Sequence, residues 1–351
     1  MPRRPALLAL LLVAACGGDP AGPQSMARDA LFDEVWGDFD RHYALFPQSG
    51  VDWGRARDAY RDSVVRAPSD AEAARLLGAM IGGLRDHHSD LVTPYGRYGA
   101  PAHVAERRHD PAVVRDAYLR EPLRATGSGR IQYARLRGAE VGYLRVASFV
   151  GADWGNEVEA ALGALRGTAG LVIDVRDNTG GNEDVARAVA ARLYDRRRVY
   201  RLSRVRAGPG HADLGAPAET ALDPGGAVRF AGPVVLLTNR YVASAAEDFV
   251  LMLRALPQAR VVGDTTMGLG SNPAERTLRN GWRYRLSRSV QSTPDGFVYQ
   301  WRGLPPHAAV PWPADASASG RDPYLDEALR RFGGASTSAP SPRARRPALG
   351  D

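Results

Sequence analysis

The chain has 351 residues, 44% hydrophobic and 24% charged, which is enough apolar material for a sizeable core. Its formal charge is +7, or +5 without Arg3 and Arg4, and acidic residues are interspersed throughout, which argues against a nucleic-acid partner. All 46 basic residues are arginine; a guanidinium does not deprotonate near neutral pH, so a lysine base, a Schiff base and a phosphate-loop lysine are excluded.

Residues 1–15 hold two arginines, a short apolar run and then small residues, the plan of a secretory signal peptide. The run is too short to cross a membrane as a helix. Val13-Ala14-Ala15-Cys16 resembles the bacterial lipoprotein cleavage box, in which the cysteine becomes the lipidated first residue; an ordinary signal peptide containing a cysteine is the alternative. Cys16 is the only cysteine and has no disulfide partner to explain it. Residues 16–25 read as a flexible tether. The expectation is an exported lipoprotein of the cell envelope or periplasm, anchored to a membrane through Cys16.

Residues 26–95 read as a helical N-terminal domain. Leu31, Phe32, Val35, Trp36, Phe39 and Tyr43 recur at three-to-four spacing and predict one apolar helix face. A second helix covers roughly 53–65, and a third opens at Ser69-Asp-Ala-Glu72, a capping-box pattern, ending near Gly82-Gly83. A Pro/Gly-broken, Arg-rich connector follows over 96–128. From 129 to 332 the signal is strands alternating with helices: strands at 130–136, 141–149, 170–175, 199–205, 233–238 and 259–262, and helices at 154–165, 184–194 and 245–255. The run 277–286 folds over Asn280-Gly281, a hairpin signal, and Asp322-Pro323 opens a last helix. The arginines from Arg196 to Arg206 alternate with Val199, Leu202 and Val205 and read as a solvated strand face. Residues 333–351, rich in Ala, Ser, Pro and Arg, are expected to be disordered. The fold class is α/β with a small three-helix N-terminal domain.

Four segments carry candidate chemistry. In Val234-Val-Leu-Leu-Thr-Asn-Arg-Tyr-Val-Ala-Ser-Ala-Ala-Glu-Asp-Phe249, Ser244 stands where a buried strand bends into a helix. A serine there serves either as a helix N-cap or as a nucleophile lifted off the sheet beside free helix amides. Leu84-Arg-Asp-His-His-Ser-Asp-Leu91 offers two histidines between Asp86 and Asp90. No matching cluster has metal-ligand spacing, which leaves a surface loop or an imidazole base. Leu171-Val-Ile-Asp-Val-Arg-Asp-Asn-Thr-Gly-Gly181 is a buried strand ending in a glycine-bearing turn, either an ordinary connection or a place where amides face a ligand. It is neither a dinucleotide fingerprint nor a phosphate loop, and no cofactor is expected. Val298-Tyr-Gln-Trp-Arg-Gly-Leu-Pro-Pro-His307 is a strand entering a Pro-rich turn and says little alone.

In order and character these segments resemble the C-terminal-processing serine peptidases, in their tricorn-core-like and retinoid-binding-protein-like branch. The stretch from Leu84 to Leu91 matches Leu-x-Asp-Gly-His-Thr-x-Leu with His88 on the histidine. Asp174-Val-Arg-Asp-Asn-Thr-Gly-Gly181 matches Asp-Leu-Arg-x-Asn-x-Gly-Gly. Tyr241-Val-Ala-Ser-Ala-Ala-Glu247 matches Gly-Ser-Ala-Ser-Ala-Ser-Glu with Ser244 on the nucleophile, and Val261-Val-Gly-Asp-Thr-Thr-Met-Gly268 matches the stretch after it. The resemblance spans roughly residues 28–313. It implies a crotonase-like (ClpP/crotonase) core and a serine peptidase acting on peptides or unfolded protein segments.

The family's better-known branch uses a Ser-Lys dyad, excluded here because Gly268-Leu269-Gly270 stands where its lysine-bearing Gly-Lys-Gly would be. The Ser-His branch implies Ser244 as nucleophile, His88 as general base, and an oxyanion site of the Ala245 amide with that of Gly180 or Gly181. The family's histidine-orienting glutamate falls on Gln300, ahead of Gly303-Leu304-Pro305-Pro306; a glutamine carbonyl can still fix an imidazole tautomer, and Asp86 or Glu247 are substitutes. No PDZ-like insert is evident. A non-catalytic carrier of a hydrophobic ligand or peptide on the same fold, as retinoid carriers of this superfamily are, is the alternative.

Overall fold

The computed structural model describes residues 27–152 and 154–333. The expected signal peptide, Cys16 and tether lie outside these residues, as does the expected tail beyond residue 333. No helix among the described residues is long and apolar enough to cross a membrane.

The N-terminal block is built by α1 (Arg28–His42), the short α2 (Phe46–Ser49), α3 (Trp53–Val65) and α4 (Asp70–Gly82). α1 buries Leu31, Phe32, Val35 and Phe39, the stripe its spacing predicts. Asp52 caps α3 by accepting the Arg55 amide at 3.0 Å, and Ser69 caps α4 by accepting the Glu72 amide at 3.2 Å. The block is more than the three helices expected. β1 (Asp90–Thr93) and β2 (Gly96–Gly99) join β11 (Pro273–Thr277) and β12 (Arg283–Ser287) in an antiparallel sheet of order β11-β12-β1-β2. Leu278, Trp282, Tyr284, Leu286 and Val290 then share one buried cluster with the helices' apolar faces. Periodicity shows that those faces need covering; it does not show that a segment some 200 residues away covers them.

The connector contains the short α5 (Pro111–Val113), a π-helical turn at Val114–Tyr118 and β3 (Arg124–Ala125). β3 pairs with β4 (Ile131–Arg135), so the core sheet begins before residue 129. β5 (Val141–Val146), α6 (Gly155–Ala164), β6 (Gly170–Asp174), α7 (Glu183–Ala191), β9 (Val234–Thr238), α8 (Ala245–Arg254), β10 (Ala259–Gly263) and β14 (Ala308–Ala309) complete it. The order is β14-β10-β9-β6-β5-β4-β3, with β5, β6, β9, β10 and β14 parallel. β6 and β9 are buried along their whole length, as unbroken apolar runs in a parallel sheet require. Alternation divides them between two cores: Leu171, Ile173, Val234 and Leu236 pack with α6–α8, while Val172, Val235 and Leu237 pack with α9 (Pro323–Arg331).

A third sheet of order β13-β7-β8 holds β7 (Arg198–Val205), β8 (Ala218–Leu222) and β13 (Ser289–Ser292). The expected solvated arginine face fails at Arg201. It is 4% exposed and paired with Asp248 at 2.5 Å and Glu183 at 3.3 Å. Asp248 from α8, which packs over β7, and Glu183 at the start of α7 offset its desolvation, and neither is visible from the strand's own pattern.

Pairing of Asp174 with Leu237 sets the carboxyl ends of β6 and β9 side by side. Residues 175–182 and 239–244 therefore emerge as neighbouring loops, at the sheet edge where parallel α/β proteins place their sites.

Candidate active site

Ser244 occupies the N-cap of α8 with φ 56° and ψ −130°. A non-glycine residue at this φ costs on the order of 1–3 kcal/mol and persists only where its surroundings enforce it. The enforcement is visible. The Ala243 amide donates to Asn178 O at 3.2 Å, and the Ser244 amide donates to the Glu247 carboxylate at 3.2 Å. Asn239 accepts the Asp177 and Tyr241 amides and donates its own Nδ2 to Asp177, which locks the two loops together. Gly180 lies against the bend: a Cβ there would stand 2.7 Å from Ala243 O and 2.9 Å from both Ala245 N and Ser244 Cβ.

His88 sits between α4 and β1. Fully buried Asp86 accepts the His88 amide at 3.0 Å and the Ser89 hydroxyl at 2.7 Å, which turns the chain inward. Behind it Trp301 Nε1 donates to Arg85 O at 2.8 Å and Trp301 N donates to Gly268 O at 2.7 Å. Arg85 and Trp301 both have positive φ. The outcome is a 3.0 Å contact between His88 Nε2 and Ser244 Oγ, groups 156 residues apart in sequence.

Burial pushes the His88 pKa below 6.5; the charges of Asp86 and Asp90 and the Ser271 carbonyl pull it up, and Arg285 pushes it down. The imidazole is therefore neutral at pH 7, and Nε2 can accept the Ser244 proton when Nδ1 carries the hydrogen. His88 Nδ1 is buried with no acceptor in hydrogen-bond geometry among the described residues.

Gln300 does not supply that acceptor, contrary to the sequence expectation. Its Oε1 accepts the Gly270 amide at 2.8 Å, and its Nε2 is buried without a partner. Leaving a buried loop amide unpaired costs about 1–3 kcal/mol, so the loop claims the carbonyl. Asp86 contacts the backbone of His88 and not its ring. Glu247 faces the other way: it accepts the Thr266 hydroxyl at 2.5 Å, Leu269 N at 2.7 Å and Gly268 N at 2.8 Å, besides Ser244 N. Burial pushes its pKa up to about 7 against those four donors. Glu247 thus ties the backbone of Ser244 to the 266–269 loop, a role foreshadowed only by its place three residues after a cap.

The Gly180 amide is also committed, donating to Asn178 Oδ1 at 2.8 Å. Of the three expected oxyanion amides this leaves Gly181, at φ 138°, and Ala245, among the first helix N–H groups that have no intrahelical partner. Sequence reading missed His109, fully buried, whose Nδ1 lies 2.9 Å from Asp177 Oδ2 and steadies the same loop from below. No group of three or more His, Cys, Asp or Glu suited to a metal ion occurs among the described residues.

Comparison with known proteins finds relatives along most of the chain. The Peptidase family S41 model matches residues 140–310, and the Tricorn protease C1 domain model matches residues 27–82. Tricorn protease homolog 1 of Streptomyces coelicolor is 24% identical over 391 residues, covering 85% of this chain and 34% of that protein. The chloroplastic C-terminal processing peptidase of Tetradesmus obliquus is 28% identical over 202 residues, covering 55% of this chain and 41% of its own. The chain thus spans well under half the length of these curated relatives. A solved candidate peptidase from Parabacteroides merdae has a TM-score of 0.75 at 28% identity, over 91% of this chain and all of that one. Mature CPAF complexed with lactacystin, at 15% identity and a TM-score of 0.67 over 88% of this chain and 98% of its own, shows the fold alone. Matched in chain order, the Tricorn C1 model over the helical block and the Peptidase family S41 model over the core sheet make this chain similar to tricorn-type and S41 serine peptidases.

Proposed function

We propose that the chain is a serine peptidase that hydrolyses bonds in peptides or unfolded protein segments, on a crotonase-like core. The observation that carries this reading is the 3.0 Å contact between His88 Nε2 and the Oγ of a conformationally strained Ser244. His88 takes the Ser244 proton as Oγ attacks the scissile carbonyl carbon. The Ala245 and Gly181 amides receive the developing oxyanion, each worth about 3 kcal/mol in such sites. His88 then passes the proton to the leaving amine, and water, activated by the same imidazole, releases the acyl group from Ser244. No carboxylate touches Nδ1; Asp86, Asp90 and the Ser271 carbonyl favour the imidazolium without a direct ion pair, which makes the enzyme slower than one with a carboxylate on that nitrogen. Export and membrane attachment through a lipidated Cys16 complete the proposal, on the strength of residues 1–16 alone.

The unpartnered Nδ1 and the turned-away Gln300 favour a second reading, a non-catalytic binder of a hydrophobic ligand or peptide. A fluorophosphonate probe separates the two when applied to protein lacking residues 1–25. Labelling that disappears in Ser244→Ala and falls steeply in His88→Ala supports the peptidase. Absence of labelling, together with no hydrolysis of unstructured protein between about pH 6 and 9, the window in which a neutral imidazole base operates, leaves the binder.

A further inference from the structure

The Arg-rich connector, to which the reaction above assigns no role, touches all three loops of the catalytic site. From Pro101 to His109 it belongs to no helix or strand, and among the described residues none of its main-chain groups bonds to another main-chain group. A stretch with no ladder of its own needs other contacts to offset the entropy of ordering it. Alternate residues turn inward to make them: His103 and Ala105 are half-buried, whereas Val104, 87% exposed, and Glu106 face solvent.

The contacts fall on the catalytic loops. On the Ser244 loop, His103 Nε2 donates to Arg240 O at 3.0 Å, and the Tyr241 hydroxyl accepts the Ala105 amide at 3.2 Å while donating to Ala105 O at 2.7 Å. The His103 ring meets two others edge-on: Tyr241, with centroids 5.5 Å apart, and His87, the residue before the base, at 6.3 Å. On the glycine-bearing loop, Arg107 lies 3.9 Å from the Asp177 carboxylate and 5.1 Å over the Tyr241 ring, and His109 adds its 2.9 Å bond to Asp177. Arg108 pairs with Asp264, just past β10, at 2.8 Å.

The Ser244 and glycine loops are already locked to each other through Asn239 and Asn178. His88 comes from a different sheet and a different core, so its distance to Ser244 depends on ties between the two halves. His103 is such a tie, touching the residue next to the base and the loop of the nucleophile at once. A displacement of about 1 Å between reacting groups costs up to about 100-fold in rate.

We propose that the strap from His103 to His109 belongs to the catalytic apparatus, with His103 and Tyr241 as positioning residues that hold the Ser244 loop against the turn carrying His88. The inference rests on the peptidase reading above.

The test uses the full-length protein and two readouts. One is steady-state cleavage of fluorescently labelled casein, an unstructured substrate; the other is the rate of fluorophosphonate labelling at Ser244, which needs no extended substrate. Tyr241→Phe keeps the ring and removes both bonds to Ala105. Its kcat and labelling rate should each fall about tenfold, with KM changed less than about twofold. His103→Ala should behave alike, and His103→Gln, whose amide can still donate to Arg240 O, should recover most of the lost rate. Unchanged kcat and labelling in both Tyr241→Phe and His103→Ala, a change confined to KM, or a His103→Gln variant no better than His103→Ala overturns this assignment alone. The two substitutions remove different contacts of the strap, so one that fails to fold leaves the other to decide. Wild-type protein that is neither labelled nor able to cleave casein overturns the peptidase reading and the strap's role with it.

Discussion

His88 shows how one residue's surroundings set chemistry. Its imidazole is desolvated and touches no carboxylate, so its proton affinity is held below the ordinary 6.5. The reactive form is neutral, present above that pKa and lost as pH falls through it. The acid limb of kcat/KM is therefore expected below pH 6.5, with a plateau at neutral pH; a limb centred above pH 7 would show that a carboxylate reaches the ring after all. Gln300 provides the complementary experiment. Because its carbonyl is committed to Gly270, Gln300→Glu buries a carboxylate against a single backbone donor, at a cost of about 3–5 kcal/mol. Thermal melting should report that loss with no gain in turnover; a several-fold gain at unchanged melting temperature would mean that the new carboxylate turns to His88.

Among elements, the site depends on loops pinned to one another more than on the strands that launch them. Trp301 joins the His88 loop to the 268 loop through one indole and one backbone hydrogen bond. Trp301→Phe keeps the ring and removes the bond to Arg85, about 1 kcal/mol. Steady-state kinetics should show kcat down roughly fivefold with KM little changed, since a displaced imidazole affects the transition state more than binding. A change confined to KM would place Trp301 in the substrate groove instead. Much of this level was legible along the chain. The caps at Ser69 and Asp322, the buried runs of β6 and β9 and the bend before Ser244 are all local free energies written in consecutive residues. Docking of the β11–β12 hairpin on the N-terminal helices and burial of Arg201 were not legible, because each depends on what another part of the chain brings to the contact.

Across the whole molecule, a buried charge network fastens α9 to the sheet. Arg176 lies between Asp174 at 2.6 Å and Asp322 at 2.7 Å, all three essentially inaccessible. The Arg176 charge leads the interactions that hold the Asp174 carboxyl well below its usual range despite its burial. Asp322 also caps α9 by accepting the Tyr324 and Leu325 amides. Asp322→Ala removes cap and counter-charge together and should cost about 3–5 kcal/mol, since a buried guanidinium loses one of its two acids. Denaturant unfolding measures this, and a loss under about 1 kcal/mol would mean that water replaces the carboxylate at no cost. Asp322→Asn, which keeps the cap acceptor, separates the two contributions.

By itself the amino-acid sequence determined which chemistry is impossible and where its parts lie. A chain without lysine cannot run a Ser-Lys dyad, and periodicity, caps and motif order located Ser244, His88 and the glycine turn. Only the tertiary structure decided which atoms meet. It set His88 Nε2 at 3.0 Å from Ser244 Oγ, turned Gln300 toward Gly270 and committed the Gly180 amide to Asn178. The reason is physical. Secondary structure follows from neighbours along the chain, whereas a buried polar group takes whichever partner packing brings nearest, because an unmade bond in the interior costs more than the choice between two made ones.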